Sequence, residues 1–456
     1  MLQGADATLV VQDEDAASWP LTARPASDVI CHRGGQAITV GRFLGEVAAL
    51  AAHLPEHGHA INLSADRYHT LLGFAAALVR GHTTLLNADP APQRLAALCA
   101  RYPGTYALAD GPAETPLPLI RLDHASCAPT GAAIEAPSIP AGRVAAIAFT
   151  SGSTGEPAAH PKPWGALVAA AAAAAERFRL RRGDGTPTSI VATVPPQHMY
   201  GFETTIMLPL QATVACHAGE SFFPTDVLDA LTALPPRRLL ITTPLHLRAL
   251  LAEIRRPPPL AAVISATAPL APSMAEAVER DWQTPMLEIY GATEAGSMAS
   301  RRTAAEADWL PYRGVRIRPG VAVVPGLGEV PLADAIEPTM RGRFRLLGRR
   351  TDLVKLGGRR ASLAELNRVL AEIEGVQDGV FVAPEDIESN PAARLTAYVV
   401  APGRSAEEIL NALRARVEPV FLPRPVVLVP ALPRNRLGKL PQEALVALRT
   451  AVADSA

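Results

Sequence analysis

Cysteine is scarce in this chain: Cys31, Cys99, Cys127 and Cys216 are scattered and form no C-x-x-C pair. A disulfide framework or a cysteine-built zinc site is therefore excluded as an expectation, and a reducing cytoplasm fits. Charge of one sign is lacking as well, since the formal net charge is −1. That balance argues against a nucleic-acid binder. No basic stretch opens the N-terminus, where Asp6, Asp13, Glu14 and Asp15 stand instead, so no secretory leader is read there. Long apolar runs are missing too. The longest, Gly165 to Ala175, is too short and too alanine-rich to span a bilayer. No internal repeat is evident.

What is present is apolar and orderly. Hydrophobic residues make up 48% of the 456, enough for large cores in two or more domains. With charged residues at 19% and 43 prolines spread throughout, disorder is not expected. Charge is uneven along the chain: residues 341–456 hold 18 Lys and Arg against 13 Asp and Glu. A basic C-terminal part could meet phosphates or an acidic partner, or could be a solvated arginine-rich surface.

Up to about residue 145, short apolar runs alternate with helical patterns. Ala60–Leu63, Thr83–Asn87 and Tyr106–Ala109 read as strands, and Thr39–His53, Tyr68–Arg80 and Pro90–Tyr102 as helices. Such alternation points to a mostly parallel sheet. The reading around Thr150 is strand, loop, helix. The strand is Val144–Phe149, and the helix is the alanine-rich run Ala166–Phe178. Between them lie Thr150-Ser151-Gly152-Ser153-Thr154-Gly155-Glu156-Pro157. Glycines, hydroxyls and free N–H groups in that place suit an anion such as a phosphate. A flexible Gly/Ser linker is the plainer reading, and an apolar strand just upstream argues against it. No Gly-Lys-Ser/Thr closes the loop, so it is not a Walker A loop.

Further strands end on chemistry-bearing residues. Ser189–Val194 runs into Pro195-Pro196-Gln197-His198-Met199-Tyr200-Gly201-Phe202, at the kind of strand end where α/β sheets place ligand groups. A lone histidine such as His198 is as well explained by structure. Leu287–Tyr290 ends in Gly291-Ala292-Thr293-Glu294. A carboxylate beside a threonine supplies hard oxygens for Mg2+ and phosphate, although Glu294 could simply favour a helix dipole. From Ser362 a compact α/β pattern follows, with Glu365 completing a capping box, and a boundary is placed near Gly348–Asp352. Taken singly, Asp334 is a loop residue and Lys439 a solvated lysine.

Together these segments resemble the adenylate-forming superfamily, which comprises acyl- and aryl-CoA synthetases, peptide-synthetase adenylation domains and luciferases. The resemblance runs from about residue 40 to the end. Thr150–Pro157 looks like its phosphate loop, Pro196–Gly201 its histidine or aromatic gate, and Tyr290–Glu294 its Y-G-x-T-E block. Asp334, ten residues before Phe344, stands where the family has its ribose-binding aspartate. Gly348–Lys355 with Gly358 and Arg360 looks like the hinge block, and Pro433–Lys439 the P-x-x-x-x-G-K lysine motif.

The resemblance implies an α/β fold. A large N-terminal domain of mostly parallel sheets flanked by helices (residues 1–348) would bind ATP and the acid. A small mobile α+β domain (residues 349–456) would carry Lys439. It implies ATP, Mg2+ and a pantetheine acceptor, on coenzyme A or on an acyl carrier protein. It implies that Thr150, Ser151, Gly152, Ser153, Thr154, Gly155, Tyr290, Gly291, Ala292, Asp334 and Arg349 hold the nucleotide, that Thr293 meets phosphate, that Glu294 binds the metal and that Lys439 is catalytic.

Departures are equally specific. Ala158 stands where the family has a lysine, and Lys162 could substitute for it. Leu332-Ala333-Asp334 replaces T-G-D, and Thr351 fills a hinge position. Met199, Tyr200 and Phe202 offer no acid for an α-ammonium, which disfavours amino-acid substrates. His198, Met199, Phe202, Ser265, Ala266, Ala268, Gly291 and Met298 would form an apolar pocket for an aromatic or medium-chain acid, unless they are ordinary core. The trimmed size and the 156–162 loop look like the adenylating enzymes of bacterial aryl-polyene pigment pathways, which load hydroxybenzoate-like or acyl units. A non-thiol second step and a catalytically inactive nucleotide-binding regulator are the alternatives.

Overall fold

A computed structural model describes residues 17–87, 91–122, 135–150, 158–180, 187–349, 353–356, 359–384, 387, 393–434, 440 and 442–453. The chain divides into two units. The first comprises residues 1–222, 232–237 and 325–328; the second comprises 223–231, 238–324 and 329–456. The boundary expected from sequence falls beside residues 350–352, outside the described residues. Among the described residues no helix is long and apolar enough to cross a membrane.

In the first unit a six-stranded sheet runs in the order Ala158–Pro163, Val144–Thr150, Thr83–Leu86, His59–Asn62, Thr105–Ala109, Leu119–Arg121. All its pairings but the first are parallel. Helices Val40–His53 and Arg67–Val79 are capped by Thr39 and Asp66, whose side chains accept from backbone N–H groups two or three residues on. Helix Arg67–Val79 is apolar nearly all round and buried along its length, as a helix inside a core has to be. Other strands of this unit follow the order Thr188–Ala192, Val214–His217, Val29–Arg33, Gln36–Thr39.

One expectation needs correction here. The strand–loop–helix order around Thr150 is strand–loop–strand–helix. Ala158–Pro163 pairs antiparallel with Val144–Thr150 before helix Trp164–Arg177 begins. Pro161 and Pro163 hid this strand. It lies at the sheet edge, where a proline leaves no ladder bond unmade. The hydroxyl-rich loop therefore joins two strands rather than entering a helix N-terminus.

In the second unit, strands run in the order Leu310–Pro311, Gly296–Arg302, Met286–Ala292, Leu260–Ser265, Arg238–Thr242. The last three are parallel and the first two antiparallel. Helices Pro244–Glu253 and Pro272–Asp281 begin on proline, whose fixed φ and missing N–H suit a first helical turn. This use explains part of the high proline content.

Toward the C-terminus of this unit, strands Asp378–Val382, Thr396–Val400 and Val426–Leu428 form a sheet. Helices Leu363–Ala371 and Ala406–Arg414 bury Leu366, Leu370, Ile409 and Leu413 in the core that includes Phe381 and Val399. Each such side chain contributes about 1.5–3 kcal/mol. The capping box at Ser362 is only half formed. Its hydroxyl accepts from Glu365 N, while the Glu365 carboxylate turns to Arg368. The complete box is at Ser405 and Glu408.

Candidate active site

In the first unit, the loop reading begins at Thr150 and continues on Ser151, Gly152, Ser153, Thr154 and Gly155, which lie outside the described residues. Antiparallel pairing sets Ala158 opposite Thr150, His160 opposite Ala148 and Lys162 opposite Ala146. Side chains alternate across a strand, so Thr150, His160 and Lys162 share one face. The small alanines opposite leave room for the longer groups. Thr150 Oγ1 and His160 Nε2 are 2.9 Å apart. Lys162 sits four residues down the ladder from the loop, roughly 13 Å at a strand's rise, and is 1% exposed. It is a buried lysine on the sheet face that also carries Thr150 and His160.

The gate segment is held from below. Arg67, 4% exposed, donates to Gly219 O at 2.8 Å, to Ala192 O at 2.5 Å and to Val194 O at 2.8 Å. Burial pulls its guanidinium below its ordinary pKa. Gln197 Nε2 donates to Ser64 O at 2.9 Å. His198 stands at the N-cap position of the short helix Met199–Phe202 without a side-chain capping bond, and the helix continues as a π-helical turn over Glu203–Met207. Such turns often mark functional sites. Met199 and Phe202 belong to the apolar core of this unit. Phe202 packs edge-on against Phe74 at 4.9 Å. It also borders a cavity of about 10 Å³ with Thr84, Asn62 and Gln197, room for one water. No sequence signal marked Arg67, because its partners are backbone carbonyls far along the chain.

In the second unit, Tyr290, Gly291 and Ala292 end strand Met286–Ala292, and Thr293 and Glu294 form the turn into Gly296–Arg302. The two strands meet closely there: a Cβ on Gly291 would lie 2.6 Å from Gly296 O. The Tyr290 hydroxyl donates to Asp334 Oδ2 at 2.7 Å. Asp334 begins strand Asp334–Pro338 and pairs in register with Arg349 on Phe344–Arg349. Tyr290, Asp334 and the Arg349 backbone are thus brought together, next to the Thr293–Glu294 turn. The half-buried turn offers one hydroxyl and one carboxylate, hard oxygens that could complete a Mg2+ shell only together with a nucleotide's phosphates, since no group of three or more His, Cys, Asp or Glu gathers among the described residues.

Ser265 and Ala266 are buried at the end of strand Leu260–Ser265, Ala268 is half-buried, and Met298 lies in the core. Thr267 between them holds φ at 80°, a strained conformation for a β-branched residue. Lys439 lies outside the described residues. Sequence reasoning missed the roles of Trp309 and Phe344, which pack against Tyr290, and of Arg301, which packs against Trp309. Tyr290 is 5.7 Å from both aromatic rings, and the Arg301 guanidinium is 4.5 Å from the Trp309 centroid.

A family model of AMP-binding enzymes matches residues 19–324, and one of the AMP-binding enzyme C-terminal domain matches residues 365–439. A 4-coumarate–CoA ligase of Rhodobacter capsulatus is 30% identical over 274 residues, 60% of this chain and 67% of that one. Another 4-coumarate–CoA ligase, of Halorhodospira halophila, is 30% identical over 311 residues, 64% of this chain and 73% of that one. The solved structure of ATP-bound MatB from Rhodopseudomonas palustris matches with a TM-score of 0.79 at 17% identity, covering 94% of this chain and 97% of that one. At that identity the likeness is one of fold. The chain therefore belongs to the AMP-binding enzymes, the adenylate-forming superfamily, and is an enzyme of the acid–thiol ligase class.

Proposed function

We propose that the chain activates an aromatic, hydroxybenzoate-like or medium-chain acid as its AMP ester, and then passes the acyl group to the pantetheine thiol of coenzyme A or of an acyl carrier protein. The observation that carries this reading is the 2.7 Å bond between Tyr290 and Asp334. It joins the Y-G-A-T-E block to the carboxylate that the resemblance assigns to ribose. Two relatives named 4-coumarate–CoA ligase support an aromatic acid and coenzyme A.

A carboxylate is a poor electrophile, and attack on ATP brings two anions together. The site must therefore offset negative charge as the bond forms. Asp334 accepts from the ribose hydroxyls and Thr293 donates to the α-phosphate. Glu294 would hold Mg2+, which would supply positive charge against the phosphates. Lys439 places an ammonium between the attacking carboxylate and the α-phosphate. The acid oxygen bonds to the α-phosphorus, the bond to the bridging oxygen breaks, and pyrophosphate leaves. A thiolate then attacks the acyl carbon and AMP leaves. The 349–456 domain brings Lys439 to the first step and withdraws it for the second, turning at the 348–355 block.

The test is pyrophosphate release and product mass spectrometry over 4-coumarate, 4-hydroxybenzoate and octanoate, with coenzyme A or a holo carrier protein. The reading expects acid-dependent release and a thioester on one acceptor. An acyl-AMP that never becomes a thioester on either would overturn the second step. No acid-dependent release with any aryl or medium-chain acid would overturn the first.

A further inference from the structure

Behind Tyr290 lies a continuous chain of packed and bonded groups that the nucleotide chemistry described above does not use. Glu288, 3% exposed, is two residues before Tyr290 on strand Met286–Ala292. Its Oε2 accepts from Arg301 Nε at 2.9 Å and from Thr303 Oγ1 at 2.9 Å, and its Oε1 accepts from Leu270 N at 2.9 Å. So anchored, the Arg301 guanidinium lies 4.5 Å from the centroid of Trp309. The Trp309 ring meets Tyr290 at 5.7 Å and 58°, and Phe344 meets Tyr290 at 5.7 Å and 63°. Trp309 and Phe344 are themselves clamped by two backbone hydrogen bonds, at 2.7 and 3.1 Å. The far end of the chain is the Tyr290 hydroxyl on Asp334 Oδ2.

We propose that Tyr290 is a positioning residue, held by the Glu288–Arg301–Trp309 stack, that fixes the Asp334 carboxylate so that Asp334 discriminates for the ribose hydroxyls of the nucleotide. The physical case is rotational. An aspartate's terminal torsion is broad and nearly two-fold, so an unheld carboxylate presents its oxygens poorly to a pair of neighbouring hydroxyls. Among the described residues, the Asp334 side chain accepts one hydrogen bond, the one from Tyr290. That bond fixes one oxygen and thereby aims the other. A tyrosine can do this only if its own ring is fixed. Tilted aromatic contacts on two sides and a cation on the outer face of Trp309 supply that rigidity. Because Tyr290 and the Thr293–Glu294 turn share one strand end, the same stack ties the ribose carboxylate to the metal carboxylate.

This inference rests on Asp334 meeting ribose, and its test separates the two. The full chain is titrated by calorimetry with ATP and with 2′,3′-dideoxy-ATP, for wild type, Tyr290→Phe, Arg301→Lys and Asp334→Ala. Tyr290→Phe is expected to raise the Kd for ATP about tenfold, the usual scale for a hydrogen bond to a charged group, and to leave dideoxy-ATP unchanged. Arg301→Lys keeps a charge beside Glu288 but loses the flat stack, and is expected to raise the ATP value about threefold with the same selectivity. Equal losses for both nucleotides would make the stack a matter of fold alone and overturn the proposal. If Asp334→Ala loses ATP selectively while Tyr290→Phe does not, positioning by Tyr290 is overturned and the ribose site stands. If Asp334→Ala binds ATP as wild type does, both fall.

Discussion

A lysine ammonium facing two anions does most of its work as the new bond forms. Lys439→Ala is therefore expected to lower acid-dependent pyrophosphate release by at least about a hundredfold, the scale of a removed oxyanion stabiliser. Its ATP affinity should stay within a few-fold of wild type. Normal release by that variant would remove Lys439 from the mechanism. Glu294→Gln keeps the shape and removes the charge, so its magnesium requirement is expected to rise while the fold is kept. An unchanged magnesium titration would take Glu294 out of the site. Arg67 belongs to a different kind of residue, since it stabilises by satisfying three carbonyls at the root of the gate. Arg67→Met leaves those acceptors short of donors. It is expected to cost about 3 kcal/mol in urea unfolding, and a loss below about 0.5 kcal/mol would contradict that role. Legibility at this scale followed how each partner was bonded. Tyr290, Gly291 and Glu294 could be singled out as candidates because contiguous residues form the motif. Arg67, Trp309 and Arg301 were not, because backbone carbonyls and ring faces leave no residue-type pattern in a sequence.

Elements were readable where apolar periodicity or capping decided them. Strand Thr105–Ala109 and helix Val40–His53 stand within a residue of their expected bounds. Strand Ala158–Pro163 was missed because proline counts against a strand everywhere but at an edge, and only the assembled sheet shows which strand is the edge. The gate helix Met199–Phe202 shows a constraint of another sort. A Cβ on Gly201 would lie 2.0 Å from Pro195 O. Gly201→Ala therefore has to push the gate away from the strand end that Arg67 holds. It is expected to cost about 1–3 kcal/mol of stability and to raise KM for the acid more than KM for ATP. Equal effects on both substrates would mean that the segment does not shape the acid site.

At the scale of the whole molecule, composition predicted a balanced surface with an arginine excess toward the C-terminus. Many of those arginines are answered by carboxylates: Arg343 by Glu306, Arg345 by Asp308, Arg368 by Glu365 and Glu372, and Arg434 by Asp378. Exposed pairs of this kind contribute little each, so part of the excess is a paired surface that adds little to stability. Histidines set the pH response. Burial pulls His32, His82, His217 and His246 below their ordinary pKa, with the charge of His217 adding to the effect at His32. The unfolded chain then binds protons first as pH falls through about 6.5. Stability is therefore full above that value and declines below it. Urea midpoints are expected to fall between pH 7.5 and 5.5, and to fall less in His82→Gln with His246→Gln. A midpoint that holds or rises over that range would contradict the assignment.

The most direct measurement is ATP–pyrophosphate exchange with the full chain and no thiol present. The account predicts exchange that requires both an aryl or medium-chain acid and magnesium, proceeds without coenzyme A, and disappears in Lys439→Ala. Exchange that needs no acid, or that survives loss of Lys439, would contradict it.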